Sequence, residues 1–273
     1  MMGRASVAAR PFTQSWLPQG APRALVVISH GLAEHSGRYV ELAGRLTARG
    51  YAVHALDHRG HGRSAGRRSN IERFADVVSD LGDLVGRARH EHPGVPMFLL
   101  GHSMGGAIAF ACALEHQAEL RGLVLSAPAL ASGEHVPPIK LLLLRFLSLV
   151  APDLGALTLP AAAISRDPAV VSAYEHDPLV DRGAVPARTM AELVIAMAAF
   201  PARAPRLRLP VLVQHGTGDL LVPLAACQPI YDRLGDPRVR TVKLYDGLYH
   251  EVYNEPERDR VIGDLLDWLD AQA

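Results

Sequence analysis

Three residues of this sequence, Ser103, Asp219 and His250, have the side-chain types and the chain order of an acyl-transfer centre. Ser103 is the middle of Gly101-His102-Ser103-Met104-Gly105, a Gly-x-Ser-x-Gly pentapeptide. The apolar run Phe98-Leu99-Leu100 precedes it, and the helix-forming Ala107-Ile108-Ala109-Phe110-Ala111 follows. Strand, sharp turn and helix form the context in which such a serine is raised to the apex of a strained elbow. The flanking glycines lack a Cβ and so let the helix pass close to the strand. The plain alternative is one more glycine-rich turn. A serine hydroxyl needs a base to take its proton, and the base needs an acid to fix its tautomer. In hydrolases of this kind the chain order is serine, acid, histidine. Asp219 follows the apolar run Val211-Leu212-Val213 and its turn Gly216-Thr217-Gly218, as an acid at a strand end should. His250 is the only histidine after Asp219. Asp246 is a rival acid, but it sits in the same loop as His250, and Asp219 is preferred.

The tetrahedral oxyanion of acyl transfer needs two preorganised N–H donors. The residue after the nucleophile, Met104, is one candidate. Leu32, after His30-Gly31 at the end of an early apolar run, is the other. A helix opening at Met104 also turns its positive end towards the developing charge. The remaining histidines read more plainly. His58 and His61 are spaced like a metal pair but lack an evident third ligand, so no metal and no cofactor is expected. Asp57, Arg59 and Ser64 read as braces of a loop below the site, and His102 as a local contact.

The elements that must position these residues alternate. Apolar runs at Ala24–Ser29, Tyr51–Leu56, Met97–Leu100, Gly122–Leu125, Val211–His215 and Val239–Tyr245 read as strands, with Phe12–Leu17 as a short first one. Helical spacing marks Tyr39–Arg49, Ile71–Glu91 and Glu257–Leu269. Such alternation implies a parallel sheet with right-handed crossovers. From Ala129 to Pro205 the rhythm breaks into helical runs between prolines, with no convincing strand. The expected fold class is α/β, a mostly parallel central sheet with helices on both faces and an inserted helical cap. Residues 1–128 and 206–273 form the core and 129–205 the cap. Composition agrees with one soluble α/β domain: 273 residues, 49% apolar, with 28 basic and 28 acidic side chains. That neutral balance argues against a nucleic-acid partner. Cys112 and Cys227 make no disulfide framework. The N-terminus lacks the apolar segment of a signal peptide, and no run is long enough to cross a bilayer. Cytoplasmic location is the expectation, with peripheral membrane contact through the cap left open and oligomeric state undetermined.

His30-Gly31-Leu32-Ala33-Glu34-His35, Asp57-His58-Arg59-Gly60-His61-Gly62-Arg63-Ser64, Gly101–Gly106 and Leu125-Ser126-Ala127-Pro128-Ala129 together resemble the monoacylglycerol lipases, serine hydrolases of the α/β-hydrolase fold. Ile164–Pro168, Tyr174–Leu179 and Leu248–Glu251 extend the resemblance, which runs from about Phe12 to near the end and is nearest to bacterial members. The resemblance implies Ser103 as nucleophile, Asp219 as acid, His250 as base, and Leu32 and Met104 as oxyanion donors. It further implies that Glu34, Arg38 and Tyr174 hold the glycerol end of the substrate, directly or through water. Two departures stand out: Ala33 occupies a position where the family often has glycine, and the N-terminus is short for the family's first strand, so that sheet edge is expected to be frayed or absent.

The expected reaction is hydrolysis of a monoacylglycerol, or a similar lipid ester, to fatty acid and glycerol through an acyl-enzyme. The leucine-rich run Ile139–Val150 could line an acyl tunnel, lie in a lipid interface, or pack the cap onto the core. A lysophospholipase or a broad carboxylesterase on the same triad is the nearest alternative, although no phosphate or choline site is evident. An aminopeptidase would need cap carboxylates, with Glu134, Asp153 and Asp177 as candidates. A dehalogenase would need aspartate in place of Ser103. A slow-turnover ligand receptor on the same fold is the remote alternative.

Overall fold

The structure, a computed structural model, describes residues 10–131 and 137–273. Its centre is a seven-stranded sheet. In chain order the strands are β1 (Thr13–Trp16), β2 (Ala24–Ser29), β3 (Tyr51–Leu56), β4 (Met97–His102), β5 (Gly122–Ser126), then β8 (Val211–Gly216) and β9 (Arg240–Tyr245). Their order across the sheet is β1-β3-β2-β4-β5-β8-β9, and only β1 runs antiparallel. Every residue of β2, β3, β4, β5 and β8 is buried. That is why these segments read as continuous apolar runs: a parallel strand covered on both faces has no polar side to alternate with.

Helices cover both faces. In β2, Leu25 and Val27 face α2 (Phe74–Glu91) and α3 (Met104–Glu115), while Ala24, Val26 and Ile28 face α1 (Val40–Ala48) and α8 (Arg258–Gln272). The stripe Val77, Val78, Leu81, Leu84 and Val85 seats α2 on the sheet. By contrast, α3 is buried from Met104 to Ala113 with no polar face, because the chain between β5 and β8 closes over it. That stretch holds α4 (Pro138–Val150), α5 (Pro168–His176) and α6 (Ala187–Arg203), and α7 (Leu224–Tyr231) follows β8.

Two sequence expectations are corrected. The stretch between β5 and β8 is not free of strand: β6 (Gly155–Leu157) pairs with β7 (Val185–Pro186) as a small antiparallel ladder. Elements of three and two residues are too short to show periodicity, and β6 is exposed throughout. The first edge of the main sheet is neither frayed nor absent. There β1 pairs with β3 from Thr13↔Leu56 to Trp16↔Val53, the Phe12 carbonyl accepts from the Asp57 N–H at 2.8 Å, and Trp16 packs on the core.

Candidate active site

At the end of β4 the chain turns through Ser103 at φ 54° and ψ −122° and enters α3 at Met104. A non-glycine residue at positive φ is strained and persists only where its surroundings hold it. Here the Ser103 N–H donates to the Ser126 carbonyl of β5, and the Ser103 carbonyl accepts from Gly106, Ala107 and Ala129. The glycines of the pentapeptide are sterically required. A Cβ on Gly101 would lie 2.4 Å from the Gly105 carbonyl oxygen, and one on Gly105 would lie 2.1 Å from that of Ser29.

Asp219 lies beyond the end of β8 and is 4% exposed. Its Oδ1 accepts from the Leu221 and Val222 N–H groups at 2.9 Å each. Its Oδ2 lies 2.7 Å from His250 Nδ1 and 3.1 Å from His215 Nε2. Burial pushes the pKa of this carboxyl up, but the hydrogen bonds from His215, His250 and Val222 outweigh it and hold the group ionised. An ionised Asp219 makes His250 Nδ1 the donor and leaves Nε2 as the basic atom. Asp246 does not compete: it is exposed and accepts from Thr217 Oγ1. Ser103 and His250 line one cavity. No hydrogen bond joins them among the described groups; such bonds are often long in a resting site and tighten when substrate binds.

Leu32 and Met104 line the same cavity. Neither N–H is bonded to another described group, so both are open to an incoming oxygen. The loop that carries Leu32 is held from below. His30 Nδ1 donates to the Gly31 carbonyl, and His30 Nε2 accepts from the His58 N–H. Glu34 Oε1 accepts from Gly31 N–H at 2.6 Å and from Tyr39 Oη at 2.8 Å. Ala33, the departure noted in the sequence, has φ 66°. That left-handed conformation accounts for a glycine preference at the position.

Arg38 joins two buried carboxylates, Glu34 at 2.9 Å and Glu251 through both guanidinium arms. Its guanidinium lies 4.8 Å from the centre of the Tyr174 ring. Burial opposes the charge on Glu251, but Arg38 overrides it and holds the carboxyl below the usual range. Glu34 and Tyr174 line the main cavity; Arg38 lines a smaller one behind it with Glu34 and Glu251. The cavity at Ser103 has a volume of about 280 Å³. Ser103, His250, Glu34 and Glu251 supply polar groups to its lining, and Met190, Leu193, Val194 and Met197 of α6 are among its apolar residues.

A sequence profile of the family described as "Serine aminopeptidase, S33" (Hydrolase_4) matches residues 20–257. The chain belongs to this family. It is 43% identical over 254 residues to a protein of Mycolicibacterium smegmatis named monoacylglycerol lipase, covering 93% of this chain and 90% of that one. A human protein named monoglyceride lipase is 37% identical over 261 residues, covering 94% and 86%. Among solved structures, the monoacylglycerol lipase of Paleococcus ferrophilus superposes with a TM-score of 0.83 at 29% identity, covering 97% of this chain and all of that one.

In this S33 family member the described side chains of the leucine-rich α4 do not supply the cavity wall. Ile139, Leu142, Leu143, Phe146, Leu149 and Val150 instead face outward, between 55% and 73% exposed. The aminopeptidase candidates in the same stretch are occupied elsewhere. Asp153 pairs with Arg67, and Asp177 accepts from His35 at 2.9 Å; Glu134 lies outside the described residues. No helix among the described residues is long and apolar enough to cross a membrane.

Two contributors escaped the sequence reading: His215 meets the Asp219 carboxylate, and Glu251 grips Arg38. His102, read as a local contact, packs its ring 4.7 Å from that of His250. His215, four residues before Asp219 at the strand end, carried the one signal that could have exposed it. His102 Nδ1 contacts the Ser126 carbonyl, and burial followed by the nearby His250 lowers its pKa to about 4. His58 and His61 pack with His30, ring centres 4.5 and 5.4 Å from it. Among the described residues they belong to no group of three candidate metal donors.

Proposed function

We propose that this chain is a serine esterase that hydrolyses monoacylglycerols to free fatty acid and glycerol. Ser103 Oγ attacks the ester carbonyl while His250 Nε2 takes its proton. Asp219 holds the imidazole in the required tautomer and stabilises the imidazolium. The oxyanion is received by the Leu32 and Met104 N–H groups at the helix start. His250 then returns the proton to the leaving glycerol oxygen. Water, activated by the same nitrogen, attacks the acyl-enzyme and releases the fatty acid. Glu34, Arg38 and Tyr174 make the polar pole that receives glycerol, with Arg38 acting from behind by fixing Glu34 and Glu251.

The observation that carries this reading is the division of the cavity's lining between nucleophile, base and carboxylates on one hand and apolar side chains, four of them from α6, on the other. A small polar head on one acyl chain fits that division. A lysophospholipid head fits less well, because no lysine or arginine lines the cavity among the described residues. Residues 129–205 act as the cap and residues 1–128 with 206–273 as the core. The exposed α4 side chains are proposed to rest on the lipid surface from which substrate enters.

The test is turnover on a monoacylglycerol beside a diacylglycerol, a lysophospholipid and a short chromogenic ester, with Ser103→Ala as the control. Loss of both hydrolysis and fluorophosphonate labelling in Ser103→Ala, with wild-type preference for the monoacylglycerol, is expected. Persistent labelling removes Ser103 from its role, and preference for the lysophospholipid removes the substrate assignment. Co-sedimentation with phosphatidylglycerol vesicles, lost in Leu142→Ser with Phe146→Ser, tests the surface contact separately.

A further inference from the structure

We propose that His54, Glu91 and His92 bind a first-row transition-metal ion of the zinc type, at a site separate from the catalytic cavity. Every residue of β3 is buried, and His54, only 3% exposed, shares the face of Ala52 and Leu56 beneath α2. An aliphatic side chain would fill this place without a polar atom to satisfy. His54 instead meets Ser15 across the β1–β3 pair, with Nδ1 at 2.9 Å from Ser15 Oγ. Its Nε2 is buried and has no partner among the described residues. When the serine oxygen accepts the Nδ1 proton, Nε2 presents its lone pair. An imidazole held by its other nitrogen in this way is the usual arrangement of a metal-ligating histidine.

Two further donors stand at the end of α2. One donor atom each from His54, Glu91 and His92 lies within 4.8 Å of the others, and the two rings are 5.6 Å apart at 57°. Tetrahedral zinc with bonds of about 2.0–2.1 Å needs donors roughly 3.3 Å apart. Glu91 is exposed and His92 half-buried, and neither side chain is engaged in a hydrogen bond or ion pair among the described residues, so both are free to close that gap around an ion. Two imidazoles and one carboxylate suit zinc, nickel or copper better than magnesium or calcium. The bound ion would tie the edge pair β1–β3 to the end of α2, and binding to the folded state alone stabilises it.

The experiment uses the full chain without an affinity tag, stripped with chelator and titrated with zinc chloride by calorimetry and thermal denaturation. Cobalt(II) serves as a spectroscopic substitute. One saturable zinc per chain, a rise in Tm and cobalt d–d bands are expected. Glu91→Gln and His92→Gln should each weaken zinc binding at least tenfold and remove the Tm rise. Ser15→Ala should weaken it about tenfold, as loss of an orienting partner does. Both α2-end variants change side chains at the surface and should fold and hydrolyse a soluble ester like wild type. Zinc held by the other histidines is the same in both variants and cancels in the comparison. No saturable zinc, or unchanged affinity and stoichiometry in Glu91→Gln and His92→Gln, overturns the proposal.

Discussion

Asp219→Asn keeps the shape of the proposed acid and removes its charge. Oδ1 takes the Leu221 and Val222 N–H groups at 2.9 Å each, and the asparagine carbonyl oxygen can keep both. The amide nitrogen must then stand where Oδ2 stood, facing His250 Nδ1 at 2.7 Å and His215 Nε2 at 3.1 Å. Donor meets donor. His250 escapes the clash by moving its proton to Nε2, the atom that has to receive the proton of Ser103. The ring stays in place but the base is lost. An inverted tautomer of this kind costs about 10⁴ in kcat, or about 5.4 kcal/mol of transition-state stabilisation. Stability should fall less, by about 1–3 kcal/mol for a poorly matched buried polar group. The assay is steady-state hydrolysis of a monoacylglycerol and of a short chromogenic ester, with urea denaturation alongside. Asp246→Asn is the matched control, since among the described residues that exposed carboxylate meets only Thr217 Oγ1; its activity should stay within twofold. Asp219→Asn within tenfold of wild type, with Asp246→Asn reduced by orders of magnitude, would refute the reasoning and transfer the acid to Asp246.

Ala33→Gly should raise stability by about 1 kcal/mol, because alanine holds φ 66° at a cost glycine does not bear. A lower urea midpoint would show that packing of the alanine methyl outweighs the strain. Leu193→Ala and Met197→Ala, on the cavity wall, should lower kcat/KM on a long acyl chain about tenfold more than on a short one, since lost apolar contact is worth about 1–3 kcal/mol. Equal loss on both would leave these residues a packing role only. Acid should destabilise the fold between about pH 6.5 and 4. His61 and His102 have pKa values lowered from 6.5 to about 4, chiefly by burial, and burial also holds His58 well below its ordinary value. The unfolded chain takes up protons that the folded one refuses, so stability is full above pH 6.5 and is lost as pH falls towards 4. A urea midpoint unchanged between pH 7 and 5 would contradict this. Gly105→Ala should fail to give a native fold, because the added methyl meets the Ser29 carbonyl oxygen at 2.1 Å; a wild-type Tm would show that the elbow can relax.

What the sequence displayed plainly was local. The strands β2 and β4 are legible because burial on both faces leaves no polar residue in Ala24–Ile28 or Met97–Leu100. Ser103 is legible because strain concentrated in one turn demands glycine on either side of it. Hydropathy says which side chains avoid water, not what covers them. Leu142, Leu143 and Leu149 of α4 and the α6 stripe are therefore indistinguishable by composition, although in the structure the first are exposed and the second lines the cavity.

The electrostatics of the site lie in pairs that sequence spacing does not announce. Arg38 meets Glu251 across 213 positions and Glu34 across four. Only the second has a helical look, and neither pair predicts that one guanidinium will serve two buried carboxylates. The same holds for the acid. Its place after a strand nominates Asp219 for that role, yet its ionisation rests on His215, His250 and two loop amides converging on it. Chain order can nominate a residue for a role because topology is inherited along the backbone. Its protonation state depends on neighbours that only the closed fold brings within reach. The Asp219–His250 contact is therefore where the sequence argument becomes physical. The elbow supplies a strained serine, but without an ionised carboxylate 2.7 Å from Nδ1 the imidazole has no reason to keep its basic nitrogen facing the cavity.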